Sequence, residues 1–448
     1  MTARRDRFDS WGRVDRRPRL SAPLEDLNPT AQGGFLPYGN GRSYGDSCHN
    51  DQGCLLTMRP GAAISAFDPD TGILTADAGV LLSDILALVM PYRFFLEVTP
   101  GTAQVTLGGA IANDVHGKNH HRRGTFGNSV QSFTLLGSDG HRRTCSPTRN
   151  SALFAATIGG MGLTGIIESA TIRLMQVASA NVRQTAFRFA AIDGYFDTIE
   201  QIDAAHEYSV AWIDQLARGG KLGRGVLMAG NHAEDGGAAK PPSAPKLAVP
   251  LSPPVNLLNR LTLKAFNGLY YGRAPQQPET RIVAWSSYFH PLDAISGWNR
   301  LYGPRGLFQH QSVFPSATGR ETTIALIECA QNHGAASFLT VLKRFGASTS
   351  PGLMSFPRPG FTLTLDFANT GNRTLRMLDA LDEIVLAAGG GLNPYKDQRM
   401  SPEMFAASFP QWKDMEAMRD PALISDFWRR TAGKLNASCL PGIRTATA

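Results

Sequence analysis

Apolar side chains recur along this chain at two different spacings, which predict short helices interleaved with short strands. Residues 80–90 and 151–158 repeat their apolar positions at helical spacing, whereas residues 166–175 alternate apolar and polar positions as a strand does. Glycine-rich turns separate these elements. Short elements of both kinds joined by glycine turns predict an α+β fold.

Beyond residue 177 the apolar pattern changes to longer elements. We predict a helix over 373–388 because five of its apolar residues share one face: Leu375, Leu378, Leu381, Ile384 and Val385. The other predicted elements of this half are a helix over 192–206, a strand over 280–290, a strand over 322–329, a helix over 336–345 and a strand over 361–367.

The change of pattern divides the chain into predicted domains. Residues 1–176 form the first, residues 177–392 form a second built on an antiparallel sheet, and residues 393–448 return to the first. Residues 234–256 are rich in Pro, Ala and Gly, so we expect them to be mobile. They suit either a lid over a site or an ordinary disordered insertion.

The charge balance is modestly basic. The 44 Lys and Arg residues exceed the 37 Asp and Glu residues by 7, and seven arginines stand among the first 19 residues. This arm suits a nucleic-acid contact, attraction to anionic lipid or simple solubility, and the sequence leaves these three open. No uninterrupted apolar run approaches about 18 residues, so we expect no membrane-spanning helix.

Five scattered cysteines, with no Cys or His pair at metal-ligand spacing, favour free thiols in a reducing compartment. We therefore expect neither a disulfide framework nor structural zinc. An RNA-binding function is disfavoured because the chain has no RNP-like strand with a set of stacking aromatic residues.

Two glycine loops are candidates for phosphate binding. Gly160, Gly162 and Gly165 match the letters of a dinucleotide fingerprint, but the predicted helix precedes them and the predicted strand follows, the reverse of a Rossmann unit. We interpret that loop as a tight turn. The other loop, GNGRSYG over 39–45, suits either a nest of backbone N–H groups around an anion or a structural turn.

A third segment, residues 100–121, joins a run of small residues to a dense polar end. Small residues let a flat ligand lie against the backbone, and His116, Lys118 and Asn119 supply donors, whereas no carboxylate completes a metal site. In their order along the chain, GRSYGD, PGTxQVTxGGAIAxDxHGKNHH and GLTGII resemble the vanillyl-alcohol-oxidase family of FAD-dependent flavoproteins. The resemblance covers nearly the whole chain.

This resemblance implies a two-domain flavoprotein, with FAD bound by 1–176 and 393–448 and substrate bound by 177–392. It also implies that the first loop surrounds the FAD pyrophosphate, that 100–121 lines the isoalloxazine, and that GLTGII closes on the adenine side. The implied FAD contacts are Gly39, Asn40, Gly41, Arg42, Ser43, Tyr44, Gly45, Asp46, Gly101, Thr106, Gly108, Gly109, His116, Gly117, Asn119 and Ile167.

One residue of the first loop bears on how the flavin is held. Many members of the family carry a histidine there, in a GGHS-like sequence, and bond it covalently to the flavin. At that position this chain has Arg42. A guanidinium stays protonated and is not a nucleophile, so we predict non-covalent FAD.

The resemblance also implies a catalytic end. Lys396, in the sequence NPYKD, matches a lysine beside the substrate hydroxyl, acting either as a base of lowered pKa or as a cation that holds the substrate oxygen. His116 is the second implied catalytic residue. The implied substrate contacts are Lys118, Trp212, Gln309, Gln311, Thr362 and Thr364. Gln309 and Gln311 share one strand face, and Trp212 suits an apolar wall or a core position equally.

Within the family the motifs resemble the decaprenylphosphoryl-ribose oxidase branch, with three departures. Thr364 stands where that branch has an active-site cysteine, Thr362 where it has an asparagine, and Asn393 where it has a tyrosine. Threonine has no thiol, so reagents aimed at that sulfur are not expected to label position 364.

The function implied is FAD-dependent oxidation of the C2 hydroxyl of a polyprenyl-phosphoryl-ribose, the first half of a ribose-to-arabinose epimerisation. An NAD(P)H-dependent short-chain reductase is the implied partner, and a quinone or oxygen is the implied electron acceptor. The expected location is cytoplasmic or peripheral at the inner membrane face. The alternative is an alditol or sugar-lactone oxidase that acts on a soluble polyol.

Overall fold

Four short strands near the N-terminus form the first sheet of the computed structural model, which describes residues 4–26, 32–237, 245 and 247–439. They are β1 (Arg4–Asp6), β2 (Arg19–Pro23), β3 (Phe35–Tyr38) and β4 (Cys54–Thr57), in the order β1-β2-β4-β3 with β4 parallel to both neighbours. The arginine-rich arm is therefore folded from residue 4 onward. Arg19 is buried, with its guanidinium 2.7 Å from Asp51 and 3.3 Å from Asp15.

A second, antiparallel sheet follows in sequence. Its strands are β5 (Ile64–Asp68), β6 (Ile73–Asp77), β7 (Phe94–Leu96), β8 (Val130–Leu136), β9 (Arg142–Cys145) and β10 (Ile166–Gln176). Four helices accompany it: α1 (Leu82–Val89), α2 (Leu107–Ala112), α3 (His120–Arg123) and α4 (Ser151–Thr157). The predictions over 80–90, 151–158 and 166–175 are confirmed by α1, α4 and β10.

Ten further strands belong to the rest of the described chain: β11 (Val182–Phe189), β12 (Tyr208–Ile213), β13 (Gly225–His232), β14 (Leu247–Ala248), β15 (Glu279–Val283), β16 (Ile295–Ser296), β17 (Leu307–Phe314), β18 (Thr340–Phe345), β19 (Gly360–Ala368) and β20 (Gly391–Leu392). Eight of them form one antiparallel sheet in the order β15-β11-β13-β12-β18-β19-β17-β20, while β14 and β16 pair separately. The predicted α+β fold is confirmed.

The helices of this half are α5 (Ile192–Phe196), α6 (Ile199–Ala205), α7 (Arg260–Arg273), α8 (Trp285–Phe289), α9 (Gly319–Asn332), α10 (Asn372–Ala387), α11 (Pro402–Ser408), α12 (Trp412–Met418), α13 (Asp426–Arg430) and α14 (Ala432–Cys439). The helix predicted over 373–388 is confirmed by α10, and the strand over 361–367 by β19. No helix in the described ranges has the length and apolar character needed to cross a membrane.

Two elements of this half are of the opposite type to the one predicted. Residues 322–329 were expected as a strand but belong to α9, because their buried positions recur at helical spacing and pack on α10. Residues 336–345 were expected as a helix but include β18, which pairs with β12 and β19. Tertiary contacts outweigh the modest preference of β-branched residues for strands.

Two further predictions are wrong in their boundaries. The helix expected over 192–206 is divided into α5 and α6, because the Thr198 hydroxyl donates to the carbonyl of Gly194 at 2.7 Å and competes with the helical ladder. The strand expected over 280–290 ends at Val283. Trp285, Tyr288 and Phe289 then form one buried face of α8 at helical spacing.

The C-terminal segment packs beside the first sheet. The backbone N–H of Phe35 on β3 donates to Ala422 at 2.7 Å, and the N–H of Ile424 donates back to Phe35 at 2.9 Å. The side chain of Trp428 is fully buried against Phe405, with 5.5 Å between ring centroids. The division into domains at 176 and 392 stays a prediction. Of the segment expected to be mobile, residues 238–244 and 246 lie outside the described residues.

Candidate active site

A cavity of about 1590 Å³ lies where the glycine loops of the N-terminal half meet the eight-stranded sheet. Pockets that hold one drug-sized molecule are usually about 300–1,000 Å³, so this cavity has room for a dinucleotide together with a second ligand. Most of the residues that the sequence singled out line it. They are Gly39, Asn40, Gly41, Arg42, Ser43, Tyr44, Gly101, Thr106, Gly108, Gly109, His116, Gly117, Lys118, Ile167, Trp212, Gln309, Gln311, Thr364 and Lys396.

The first glycine loop presents its backbone to the cavity. None of the N–H groups of residues 39–43 donates to an acceptor within the described part of the chain. Gly41 has φ of 60°, and a Cβ there would lie 2.1 Å from the Tyr38 hydroxyl, so only glycine fits. Arg42 adds a cation, held 4.7 Å from the centre of the Trp11 ring. The loop therefore suits an anion such as a pyrophosphate.

The first loop and the 100–121 segment touch with almost no side chain between them. A Cβ on Gly39 would lie 2.4 Å from Thr106 Oγ1, and a Cβ on Gly108 would lie 2.8 Å from the Ala78 side chain. Thr106 also caps α2 by accepting from the N–H of Gly109 at 3.1 Å. Glycine is required at both positions because a Cβ would collide with these neighbouring side chains.

The turn that carries the G-x-G-x-x-G letters follows α4 and precedes β10, which confirms the rejection of a Rossmann unit. Met161, Gly162 and Gly165 nevertheless line the cavity. The Tyr395 hydroxyl, whose residue also lines it, is buried without a hydrogen-bond partner among the described residues. An unsatisfied buried hydroxyl, an anion-binding loop and glycine walls together fit FAD.

Register between strands gathers the substrate side of the cavity. Trp212 on β12 pairs with Val341 on β18, Val341 pairs with Thr364 on β19, and Thr364 pairs with Gln311 on β17. Directly opposed residues project to the same face of a sheet, and all four line the cavity. Three implied substrate contacts that are far apart in sequence are thus brought into one row.

His116 lies between Gln311 and Lys343. Gln311 Nε2 is 3.0 Å from His116 Nε2, and Lys343 Nζ is 3.1 Å from His116 Nδ1. Burial lowers the pKa of His116 well below its ordinary value, so the ring is neutral. A neutral imidazole has one donor nitrogen and one acceptor nitrogen.

A chain of hydrogen bonds sets which nitrogen is which. The backbone N–H of Tyr395 donates to Asn393 Oδ1 at 3.0 Å, so the amide nitrogen of Asn393 donates to Gln311 Oε1 at 2.9 Å. Gln311 Nε2 is then a donor, to His116 Nε2 and to Thr362 Oγ1 at 3.2 Å. The proton of His116 is left on Nδ1, where a neutral Lys343 amine accepts it. Burial lowers the pKa of Lys343 to about 7, which suits that role.

Lys396 faces the same space from the C-terminal segment. Its Nζ lies 4.0 Å from the centre of the Tyr44 ring. Burial lowers its pKa below the ordinary lysine value, and the carboxylate of Asp366 acts in the opposite direction. Asp366 is fully buried, accepts a hydrogen bond from Gln309, and has its own pKa raised by burial.

Lys118 is the third lysine that lines the cavity, and all three are half-buried. Its Nζ donates to the carbonyl of Tyr288 and lies 4.5 Å from the centre of that ring. Burial lowers the pKa of Lys118 to about 7. Three amines with lowered pKa values line one cavity, and groups with perturbed pKa values cluster at functional sites.

Four residues implied as direct contacts lie behind the cavity lining instead. Asn119 Nδ2 donates to the carbonyl of Glu97 at 2.8 Å, and Thr362 is buried where it accepts from Gln311. Gly45 packs on the backbone of Asp397, and the Asp46 carboxylate is bound by Arg430. The sequence could not separate a lining residue from its support, because both lie in the same motif.

Sequence analysis missed Lys343, which lines the cavity, and Asp366, which is buried behind the lining. Lys343 was overlooked because its segment was predicted as a helix, in which it does not share a face with Val341. Asp366 carried a usable signal, since it is the only charged residue in the apolar strand FTLTLDF over 361–367. A lone carboxylate in a buried strand has to be paired or functional.

Comparison with known proteins identifies the class of this site. Residues 30–146 match the family model described as an FAD binding domain. The chain is 35% identical, over 95% of its length and 97% of the relative, to the decaprenylphosphoryl-β-D-ribose oxidase of Mycolicibacterium smegmatis. The chain belongs to the decaprenylphosphoryl-β-D-ribose oxidase family. As a member of that family it is an FAD-dependent oxidoreductase that acts on CH–OH groups, with FAD as its cofactor.

Two other relatives mark the range of the resemblance. An uncharacterised protein of Streptomyces coelicolor, named for its place in the mprA 5' region, is 33% identical over 78% of this chain and 99% of its own. L-gulonolactone oxidase of Mus musculus is 27% identical over only 33% of each chain. Likeness to the decaprenylphosphoryl-β-D-ribose oxidase family thus extends through the substrate side, whereas likeness to the lactone oxidase is partial.

The link between chain and flavin gives a first testable prediction. Arg42 stands where many flavoproteins of the vanillyl-alcohol-oxidase family have the histidine that is bonded to the flavin. Acid precipitation of the purified holoenzyme is therefore expected to release all of its FAD into the supernatant. The absorbance of the supernatant measures this, and the denatured protein serves as the control, run on a gel under ultraviolet light. A fluorescent protein band would contradict the prediction and show a covalent link from another residue.

Proposed function

We propose that the chain oxidises the C2 hydroxyl of a polyprenyl-phosphoryl-ribose to the 2-keto sugar, as the first half of a ribose-to-arabinose epimerisation. The observation that carries the proposal is one cavity lined both by three lysines and by apolar side chains that include Trp212 and Tyr270. Cationic groups suit a phosphate, and an apolar wall suits a prenyl tail. A free polyol or lactone has neither a phosphate nor a prenyl tail, so the geometry favours the lipid-linked sugar over the alternative substrate.

In this proposal Lys396 takes the proton of the C2 hydroxyl at Nζ. Burial lowers the pKa of Lys396 to about 8, so a larger fraction of this amine is unprotonated near neutral pH than for an ordinary lysine. The carboxylate of Asp366 favours the resulting ammonium, because a nearby anion raises the pKa of an amine. FAD, when bound, supplies the two-electron acceptor for oxidation of an alcohol carbon.

The remaining residues hold the sugar in place. Gln309 and Gln311 present amides from one face of β17, and Thr364 lies directly opposite Gln311 on β19. His116 is fixed in one tautomer by Gln311 and Lys343 and presents a neutral ring. Lys118 becomes fully protonated when a phosphate approaches, because an anion raises the pKa of a neighbouring amine, whereas Lys343 stays neutral as the acceptor of the His116 Nδ1 proton.

The proposal extends to the surroundings of the reaction. A 2-keto product requires a reductase to complete an epimerisation, and an NAD(P)H-dependent short-chain enzyme is the partner we propose. Electrons leave through a quinone or oxygen. A substrate with a polyprenyl tail resides in a membrane, so we propose a location peripheral to its inner face.

Anaerobic reduction of the flavin tests the substrate. The holoenzyme is mixed with polyprenyl-phosphoryl-ribose, with the corresponding arabinose lipid, and with free ribitol, xylitol and a sugar lactone. We expect bleaching of the flavin band with the ribose lipid only. Bleaching by the free polyols or the lactone, with none by the ribose lipid, would replace the proposal with the soluble-polyol alternative.

The pair Lys396 and Asp366 predicts a particular pH dependence. With Lys396 as the base, flavin reduction by substrate speeds up as the pH rises through the pKa of that lysine. Replacing Asp366 by Asn removes the anion that raises this pKa, so the rise is expected at lower pH than in the wild type. Stopped-flow reduction between pH 6 and about 10 measures the midpoint.

The matched control for that profile is Asp379→Asn, because the side chain of Asp379 is 66% exposed on α10. Its profile is expected to coincide with that of the wild type. An unchanged midpoint in Asp366→Asn, or a shift to higher pH, would exclude the electrostatic role of Asp366.

A further inference from the structure

Exposed apolar side chains are concentrated in one stretch of the described chain, from Leu247 to Ile282. Of the twelve large hydrophobic side chains that are exposed among the described residues, nine belong to this stretch. Leu251 and Leu261 are each 78% exposed. Single exposed apolar residues are ordinary, whereas such a concentration marks a surface that contacts something apolar.

Helix α7 forms the centre of this surface and is apolar on its outer side as well as its inner side. Its inner face is buried at four-residue spacing by Leu263, Asn267 and Tyr271. Its outer apolar face consists of Leu261, Phe266, Leu269 and Tyr270, which are between 38% and 78% exposed. The inner face packs the helix against the protein, so the outer apolar face is left exposed for contact with another apolar surface.

The charges around this helix are almost entirely positive. Residues 247–283 contain four basic residues and one acidic residue, a net charge of 4 − 1 = +3. Glu279 pairs with Arg281. Arg260, Lys264 and Arg273 are exposed and form no ion pair with any described residue. Leucines and aromatic residues flanked by Lys and Arg are typical of helices that lie in the interface of an anionic bilayer.

The outer apolar face is continuous with the interior of the cavity. Phe266 and Tyr270 belong to both. The Tyr270 ring lies 4.6 Å from the ring of Trp212, and the Phe266 ring lies 5.5 Å from that of Phe338, measured between centroids. Aromatic side chains therefore line a path from the surface of α7 to the substrate row of the sheet.

We propose that the outer apolar face of α7 docks on an anionic phospholipid bilayer and that the cavity opens toward the lipid there. The apolar tail of a lipid-linked substrate then passes from bilayer to cavity without crossing water. This second part rests on the proposed function, whereas the docking itself does not. The basic residues favour phospholipid over a second copy of the chain, because two such surfaces repel each other.

Vesicle binding by the full-length, FAD-loaded chain tests the docking without any substrate. Sedimentation with vesicles of phosphatidylcholine containing phosphatidylglycerol is compared with pure phosphatidylcholine vesicles. We expect binding to the anionic vesicles, weakening with salt. Replacing both Leu261 and Leu269 by Gln is expected to reduce the partition coefficient about tenfold or more, because two exposed leucines no longer enter the bilayer.

The matched control is Leu386→Gln, since Leu386 is 50% exposed on α10 outside the stretch. It is expected to bind vesicles as the wild type does. Circular dichroism and FAD content show that each variant is folded. Wild-type chain that does not sediment with anionic vesicles, or a double variant that binds unchanged, would overturn the proposal. A dimer that the double variant abolishes, without vesicle binding, would assign the face to a second copy and overturn it as well.

Equal binding to the two kinds of vesicle would overturn the part assigned to Arg260, Lys264 and Arg273. Loss of vesicle binding leaves flavin reduction by a detergent-solubilised short-chain substrate intact, since neither Leu261 nor Leu269 lines the cavity. Vesicle sedimentation therefore tests the docking, and flavin reduction tests the proposed oxidation, so the two can fail independently.

Discussion

Replacing Lys396 by Ala is expected to slow reduction of the bound flavin by substrate about 10²–10⁴-fold, the usual contribution of a positioned base. FAD content is expected to stay at the wild-type level, because the anion-binding loop at 39–43 does not include this side chain. Anaerobic stopped-flow reduction measures the rate, and the absorbance ratio of flavin to protein measures the cofactor. Lys413→Ala, which removes an exposed lysine of α12, is the matched control and is expected to reduce normally.

The arginine variant distinguishes the two roles considered for Lys396. A guanidinium keeps a cation near the substrate oxygen but does not give up its proton. If Lys396 is the base, Lys396→Arg is as slow as Lys396→Ala, and added primary amines restore part of the rate to the alanine variant only. Wild-type rates in Lys396→Ala would remove this lysine from the chemistry, and fast reduction in Lys396→Arg would make it a cation that orients substrate.

Replacing Arg430 by Met is expected to lower the free energy of unfolding by about 3–5 kcal/mol and to weaken FAD binding. Arg430 Nε lies 2.6 Å from Asp46 Oδ2, and its Nη2 lies 2.7 Å from Asp397 Oδ2. Asp46 ends the first glycine loop and Asp397 follows Lys396, so one guanidinium joins the cofactor side to the catalytic side. Without it two nearly buried carboxylates remain uncompensated.

Urea denaturation and FAD titration measure these effects. Arg320→Met is the matched control, because its partners Asp193 and Asp197 are exposed and such pairs contribute about 0–1 kcal/mol. Combining Arg430→Met with Asp46→Asn and Asp397→Asn is expected to recover part of the lost stability. A loss no larger than that of Arg320→Met would show that the bridge does not hold the two segments together.

The elements that the sequence predicts correctly are those set by a local pattern. Helix α10 was predictable because its buried residues recur at helical spacing within 16 residues. The glycine segments were predictable because close packing excludes a side chain at several nearby positions, which leaves a cluster of glycines in the sequence. The elements predicted wrongly are those whose type depends on contacts with residues distant in sequence. The residues of α9 include several that favour strands, and the segment of β18 becomes a strand because β12 and β19 pair with it on its two sides.

By itself, the sequence determined the α+β fold, the FAD-binding family, the order of the glycine segments and the candidate Lys396, since each rests on short motifs whose chemistry is local. Only the tertiary structure decided which polar side chains face the cavity. Shifting a strand by one residue moves every side chain to the other face, so Lys343 could be assigned to the cavity only once β18 was paired with β12 and β19. The support of Asp46 by Arg430 likewise joins residues 384 positions apart, a separation that no local pattern records.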